Sequence, residues 1–340
     1  MTKPILDQTC LIQLERLVQT AHKITLIGHN NPDGDAIGSI LGLSKTLSKI
    51  NPHECDIQMV TPNEGNKNQL YFLDGIEHII NFKQNQERCI AAITEADLII
   101  GLDFNEPSRI DTLETFFLQS KAPKVLIDHH HNPKKECFDI VISKPEMSST
   151  CELIFWTIDQ IWGKDIIEKD SAIPLYCGIC TDTGTFSYSN SHPSLYEATA
   201  LLISHNIEPD KLQIMMFNNF SIERMRFYGY AINNRLRIFP EKHFAYFYIT
   251  KDDQKEFGIS KADMEGLVNY TLLMSDIHVG ILIREEDCQC RLSFRSKFGI
   301  EVHTVAKRLF NGGGHTQAAG ATSTLTLDET IALIEKEYLK

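Results

Sequence analysis

The sequence predicts an α/β protein: an N-terminal doubly wound parallel sheet followed by a smaller C-terminal α+β domain. Three observations carry this. Short apolar runs at 23–28, 97–102 and 124–127 alternate with helix-spaced apolar positions through the first half, the rhythm of a parallel sheet covered on both faces. The texture breaks at 189–194 (SNSHPS) and gives way to a helical stretch and then to a new set of strands. The chain has 340 residues, more than one core usually holds, since single cores stop growing near ~250–300 residues.

In chain order, Leu11, Leu14, Leu17 and Val18 have helical spacing. Residues 23–28 (KITLIG) read as a buried strand, and 36–49 as a helix with Ile37, Ile40, Leu41, Leu43 and Leu47 inward. Residues 56–60 alternate like a strand, 97–102 (DLIIGL) and 124–127 (KVLI) read as strands, and 112–118 as a helix. Ser148 and Ser149 suit the cap of a helix running through Leu153, Ile154, Trp156 and Ile161. Residues 195–237 are mostly helical in pattern. Strands are expected at 244–249, 278–283 and 291–294, and helices at 302–310 and 329–339. The expected division is a first domain at 1–190, a helical connector at 191–230 and a second domain at 231–340.

Lys plus Arg number 33 against 45 Asp plus Glu, a net charge of −12. That balance argues against coating long DNA or RNA, where counterion release needs many phosphate contacts. The start of the chain lacks the pattern of a secretory signal, and no apolar run is long enough to span a bilayer. A cytoplasmic protein with no membrane partner is expected. The nine cysteines are an odd number without disulfide-scaffold spacing. Cys177 with Cys180, and Cys288 with Cys290, are expected to be buried, inert thiols.

The informative pattern is where Asp and His fall. The first strand runs into His29, Asp33 and Asp35, the second into Asp103, and the third into Asp128, His129 and His130. A further apolar stretch, 176–180, runs into Asp182. Ligands of open parallel sheets bind beyond the carboxyl ends of the strands, so groups far apart in the chain can meet in one crevice. Asp35, just before Ala36 and Ile37, also suits a simple helix cap. The whole set does not reduce to caps, because clustered carboxylates need a cation. Mixed His and Asp ligands suit Mn, Fe or Zn better than Mg. Five or six ligands exceed one tetrahedral site and suggest two metals about 3.5–4 Å apart, the arrangement that serves phosphoester hydrolysis.

The run from His29 to Ser39 (HNNPDGDAIGS), then Asp103, then Asp128-His129-His130, then Asp182, resembles the four ordered motifs of the DHH phosphoesterases. Residues 291–320, with Gly312-Gly313-Gly314-His315, resemble the DHH-associated DHHA1 domain and its glycine-rich signature. The resemblance covers almost the whole chain and looks most like the nanoRNase and pAp-phosphatase branch. It implies that 1–190 is the catalytic metal-binding domain and 231–340 the substrate-binding domain. It further implies two Mn2+ ions per chain, with Mg2+ or Co2+ as substitutes. His29 and Asp33 would hold one ion, Asp35, His129 and Asp182 the other, and Asp103 would bridge them. His130 would contact the scissile phosphate and Asp128 would orient its neighbours. Arg295, His315 and the backbone of Gly312, Gly313 and Gly314, read as a loop, would grip the nucleotide. Where many family members have a fourth glycine this chain has Asn311, which tolerates left-handed backbone.

The implied substrates are short oligoribonucleotides (pApA, pGpG) or nucleotide phosphates such as pAp, not long duplexes, and a homodimer is compatible with this reading. Cyclic di-AMP or polyphosphate hydrolysis is the rival within the same chemistry. A non-catalytic nucleotide-binding regulator is the rival of a different class. Pyrophosphatases of the family lack the glycine-rich ending, and a RecJ-type exonuclease would need more length and more basic charge. Neither a Walker P-loop nor a GxGxxG fingerprint is present.

Overall fold

The computed structural model describes residues 3–51, 55–65 and 70–340, and it divides into two compact units, Met1–Asn219 and Phe220–Lys340. The strands of the first unit are β1 (Lys23–Gly28), β2 (Asp56–Thr61), β3 (Ile80–Asn81), β4 (Leu98–Leu102), β5 (Lys124–Asp128) and β6 (Ile140–Ser143). They form one parallel sheet in the order β3-β2-β1-β4-β5-β6. The order grows outward in one direction from β1 and in the other from β4. The carboxyl ends of these two central strands are therefore the switch point at which such sheets bind ligands.

The helices are α1 (Gln8–Thr20), α2 (Gly34–Ile50), α3 (Gln86–Thr94), α4 (Glu114–Gln119), α5 (Thr150–Ile161), α6 (Lys169–Asp182), α7 (Pro193–Ile203) and α8 (Pro209–Phe217). Alternating strand residues feed two cores. Ile24, Leu26, Ile100, Leu102, Val125 and Ile127 pack with residues of α1, α2, α5 and α6 on one face. Ile27, Val60 and Ile99 pack with Cys89, Ile93 and Phe117 of α3 and α4 on the other. The helix expected at 36–49 begins two residues earlier, because the Asp33 carboxylate caps it by accepting from the Asp35 and Ala36 amides at 3.0 and 3.2 Å. Ser149 caps α5, accepting from Glu152 N at 3.0 Å. The apolar 176–180 stretch lies within α6, so Asp182 is delivered by a helix end.

Helices α2 and α6 approach through glycines four residues apart. A side-chain carbon added at Gly34 would strike the Thr181 side chain, one at Gly42 the Leu175 side chain, and one at Gly38 would lie 2.5 Å from the Pro174 carbonyl oxygen. On an exposed helix, Gly→Ala gains about 1 kcal/mol. At Gly38 the overlap should outweigh that gain. Gly38→Ala is expected to lower unfolding free energy by about 1–2 kcal/mol, within the usual range for overpacking. Urea titration of the metal-free protein checks this, and an unchanged or higher midpoint would contradict the close contact.

The second unit holds α9 (Ile222–Tyr230), β7 (Leu236–Phe239), β8 (Phe244–Ile249), α10 (Lys251–Phe257), β9 (Val279–Glu285), β10 (Cys290–Ser296), α11 (Val302–Phe310), β11 (Gly313–His315), β12 (Ala318–Ser323) and α12 (Leu327–Tyr338). Its sheet runs β11-β12-β10-β9-β8-β7, parallel between β8 and β9 and antiparallel elsewhere. Phe244, Ile281, Ile283 and Phe294 pack with Val302, Ala306 and Ile334 on one face. Phe247, Ile249 and Leu282 pack with Phe227 and Leu267 on the other. Helices α7 and α8 belong to the first unit and α9 to the second. The helical pattern read to residue 237 stops earlier, since β7 begins at Leu236.

The glycine-rich stretch is not a free loop. Gly313, Gly314 and His315 form an edge strand opposite Gly320, Ala319 and Ala318. All nine cysteines are free, and Cys177, Cys180 and Cys290 are buried. Cys288 is exposed, which corrects the expectation of four buried thiols. Among the described residues no helix is long and apolar enough to cross a membrane.

Candidate metal centre

Seven side chains meet beyond the carboxyl ends of β1, β4 and β5. His29 follows β1, and its Nδ1 lies 2.9 Å from the Asn30 carbonyl oxygen. That contact turns Nε2 toward the carboxylates, 3.4 Å from Asp103 Oδ2 and 3.8 Å from Asp33 Oδ1. His129 is aimed in the same way. Its Nδ1 is 3.3 Å from the Met147 carbonyl oxygen, and its Nε2 lies 3.5, 3.7 and 3.9 Å from carboxylate oxygens of Asp182, Asp103 and Asp35. The ligand atoms fall into sets that each fit within 4.8 Å: His29, Asp33 and Asp103; Asp35, His129 and Asp182; and Asp103, His129 and His130. Asp103 belongs to two of these sets and is the member that connects the His29 side to the His129 side.

The backbone fixes this arrangement. Asp103 sits just past β4 with φ of +64°, a left-handed conformation that costs of order 1 kcal/mol in a non-glycine residue. Its amide donates to the Ile127 carbonyl oxygen at 3.2 Å, and its Oδ1 accepts from the Thr150 hydroxyl at 2.8 Å. Asp35 is buried, and Asp33 rather than Asp35 caps α2. The Asp35 carboxylate instead accepts from the Thr150 and Cys151 amides, at 2.6 and 2.9 Å, at the positive end of α5. His130 Nδ1 lies 2.7 Å from Asp128 Oδ1. The same nitrogen lies 3.7 Å from Asp103 Oδ1.

The electrostatics call for a cation. Burial, and then the charges of Asp103 and Asp33, push the Asp35 carboxyl well above its usual range. Burial, and then Asp35, Asp103 and Asp33, do the same to Asp182, which also sits at the negative end of α6. Burial opposes a charge on His29, but the contacts with Asp103 and Asp33 outweigh it and push the imidazole up to about 10. Burial would raise Asp103, yet His29, His130 and His129 hold it well below the carboxylate range. Burial also opposes a charge on His130. The Asp128 hydrogen bond and the Asp103 charge prevail and raise it, while Arg109 pulls the other way.

These nitrogen and carboxylate donors could hold divalent metal, which would replace the protons the cluster otherwise retains. His29, Asp35 and Asp182 hold protons to higher pH than usual, so a cation must displace them and its affinity must climb with pH. Calorimetric titration of Mn2+ near pH 7 in two buffers of different ionisation enthalpy should show net proton release. Zero release would show that His29, Asp35 and Asp182 are already deprotonated in the metal-free protein.

Of the residues singled out in the second half of the chain, Arg295 lies in β10 opposite Ala318, which is itself opposite His315 in backbone register. The Arg295 guanidinium donates to the Phe294 carbonyl oxygen at 2.9 Å. The His315 side chain lies outside the described residues. Gly314 has φ of +142° and Asn311 caps α11 in the left-handed region. Sequence reasoning took Ser148 and Ser149 for the helix cap and missed the contact of the neighbouring Thr150 hydroxyl with Asp103. It also missed Asn63, whose Oδ1 accepts from the Asn31 and Gly65 amides at 3.0 Å each and pins the loop after His29. An Asn before a glycine-containing turn is the only signal that could have marked it.

The model of the DHH family N-terminal domain matches residues 23–179, and that of the DHHA1 domain matches residues 241–338. The crystal structure of an exopolyphosphatase-related protein from Bacteroides fragilis is 32% identical with a TM-score of 0.94, covering 98% of this chain and 96% of that one. The bifunctional oligoribonuclease and PAP phosphatase NrnA of Bacillus subtilis is 28% identical over 313 residues, covering 91% of this chain and 92% of that protein. The cyclic-di-AMP phosphodiesterase PdeA of Listeria monocytogenes is 25% identical over 332 residues, 96% of this chain but 48% of that protein. With both domain models matched in order and a solved relative superposing along nearly its full length, the chain belongs to the DHH family, a DHH domain followed by a DHHA1 domain.

Proposed function

We propose that the chain is a two-metal phosphoesterase that uses Mn2+ to hydrolyse short oligoribonucleotides such as pApA and pGpG, and pAp, to nucleoside monophosphates. One observation carries this reading. Asp103 lies between a His29–Asp33 group and an Asp35–His129–Asp182 group at the switch point of the sheet. His29 and Asp33 are assigned to one ion, Asp35, His129 and Asp182 to the other, and Asp103 to both. When bound, such a pair supplies Lewis acidity toward water and phosphoryl oxygens; Mg2+ or Co2+ would serve in place of Mn2+.

The protein's own part is placement and proton handling. His29 and His129 are oriented by carbonyl oxygens at their Nδ1 atoms. Asp35 and Asp103 are oriented by the start of α5. His130, steered by Asp128 and raised in pKa, is the group suited to meet the reacting phosphate and protonate the leaving oxygen. Arg295, His315 and Gly312–Gly314 are assigned to the part of the nucleotide distal to the reacting phosphate. The net charge of −12 agrees with short substrates. Removing one charge-assisted contact costs about 1.5–3 kcal/mol, so Arg295→Ala should raise KM at least about 10-fold with metal content unchanged. Metal loss in that variant would place Arg295 elsewhere.

Incubation with Mn2+ and pApA, pGpG, pAp, cyclic di-AMP, polyphosphate and pyrophosphate, with products separated by chromatography, tests the substrate class. Release of monophosphates from pApA, pGpG and pAp is expected. Cyclic di-AMP is the second reading, favoured by the likeness to the Listeria phosphodiesterase along 96% of this chain. Turnover of pyrophosphate alone, or binding without turnover, would overturn the proposal.

A further inference from the structure

Glu152 is a buried carboxyl group outside the candidate ligand set. It lies in the first turn of α5 with no exposed surface. One of its oxygens accepts from the Ser148 amide at 2.9 Å and the other from the Ser194 hydroxyl at 2.8 Å. Its own amide is held by the Ser149 hydroxyl. The stretch clamped in this way is the one that touches the cluster: Thr150 and Cys151 amides on Asp35, and the Thr150 hydroxyl on Asp103. Ser194, itself buried, opens α7 at the far end of the segment that starts immediately after Asp182. One carboxyl group therefore ties the element that orients Asp35 and Asp103 to the element that follows Asp182.

A buried carboxyl group is costly, and an apolar side chain of the same volume would often pack as well or better. Its presence needs a reason other than filling space. We propose that Glu152 is a positioning residue that sets the spacing of Asp35, Asp103 and Asp182 and thereby the affinity for metal. The inference rests on the metal-binding reading above.

Glu152→Met keeps the volume and removes both acceptors. Glu152→Gln keeps an oxygen for the Ser148 amide and offers an amide N–H to Ser194 Oγ. Mn2+ affinity is read by calorimetry, coupling between ions by electron paramagnetic resonance, and metal-free stability by thermal melting. Residues that support metal ligands from behind are typically worth about 10–100-fold in affinity. Glu152→Met should weaken at least one ion by that factor and diminish the coupled signal, with kcat falling more than KM. Glu152→Gln should restore both close to wild type, and Ser194→Ala should show a smaller loss in the same direction. Wild-type Mn2+ affinity in Glu152→Met overturns the inference, whatever happens to its melting temperature. Should that variant not fold, wild-type affinity in Ser194→Ala overturns it instead. A wild-type protein that binds no divalent cation defeats the metal-binding reading itself, and is recognised before any variant is made.

Discussion

Asp103→Asn is expected to reduce kcat by at least about 10³-fold and to lower bound metal below two ions per chain. Asn is the sharp substitution here. It keeps the shape, tolerates the left-handed backbone at φ +64°, and can still accept from Thr150 Oγ1, as Asp103 does at 2.8 Å. What it loses is the charge facing His29 at 3.4 Å and His129 at 3.7 Å. A bridging carboxylate serves both ions, and paired metals supply several kcal/mol of transition-state stabilisation. Each 1.36 kcal/mol is tenfold in rate, so losing about 4 kcal/mol gives the expected factor. Metal analysis and single-turnover kinetics on the same preparation check it. Near-normal turnover with two ions retained would remove Asp103 from the bridge.

His130→Ala should separate chemistry from metal. General acid–base groups typically contribute about 10²–10⁴-fold, and kcat should fall by that order. Metal content should hold, because the Nδ1 that lies 3.7 Å from Asp103 is the atom engaged by Asp128 at 2.7 Å. The pH–rate profile should lose its alkaline limb, since the group that must be protonated, raised in pKa by Asp128 and Asp103, is gone. Asp128→Asn should give a milder loss and shift that limb to lower pH. If His130→Ala instead releases an ion, the Asp103–His129–His130 set is a true ligand group and His130 belongs to the metal.

Much of this was legible because the first unit repeats one physical device. A buried apolar strand ends, and the residues just past it carry the chemistry. That pattern exposed His29, Asp103 and His129 as neighbours before any coordinates. Asp182 was legible as a site residue but not as the end of a helix, because a short apolar run without charges looks the same in a buried strand and a buried helix. The strands β11 and β12 were missed since Gly313–Gly314 and Ala318–Ser323 are small residues with little strand preference. They are strands through pairing with β10 and one another, which no local pattern announces. Strands β3 and β6 are too short, at two and four residues, to show a period. The contacts of Thr150 with Asp35 and Asp103 cross more than a hundred and about fifty positions of sequence, and only folding reveals them.

The seam between α2 and α6 has a consequence for how the protein can diverge. Its two helices, which carry Asp35 and Asp182, meet where Gly34 faces the Thr181 side chain, Gly38 the Pro174 carbonyl oxygen and Gly42 the Leu175 side chain. Leu175 and Thr181 can absorb a gained methyl group by changing rotamer, whereas the Pro174 carbonyl oxygen facing Gly38 belongs to the main chain and has none to change. Surface positions can drift freely, but one added carbon at position 38 would press main chain against main chain in the pair of helices that carry Asp35 and Asp182.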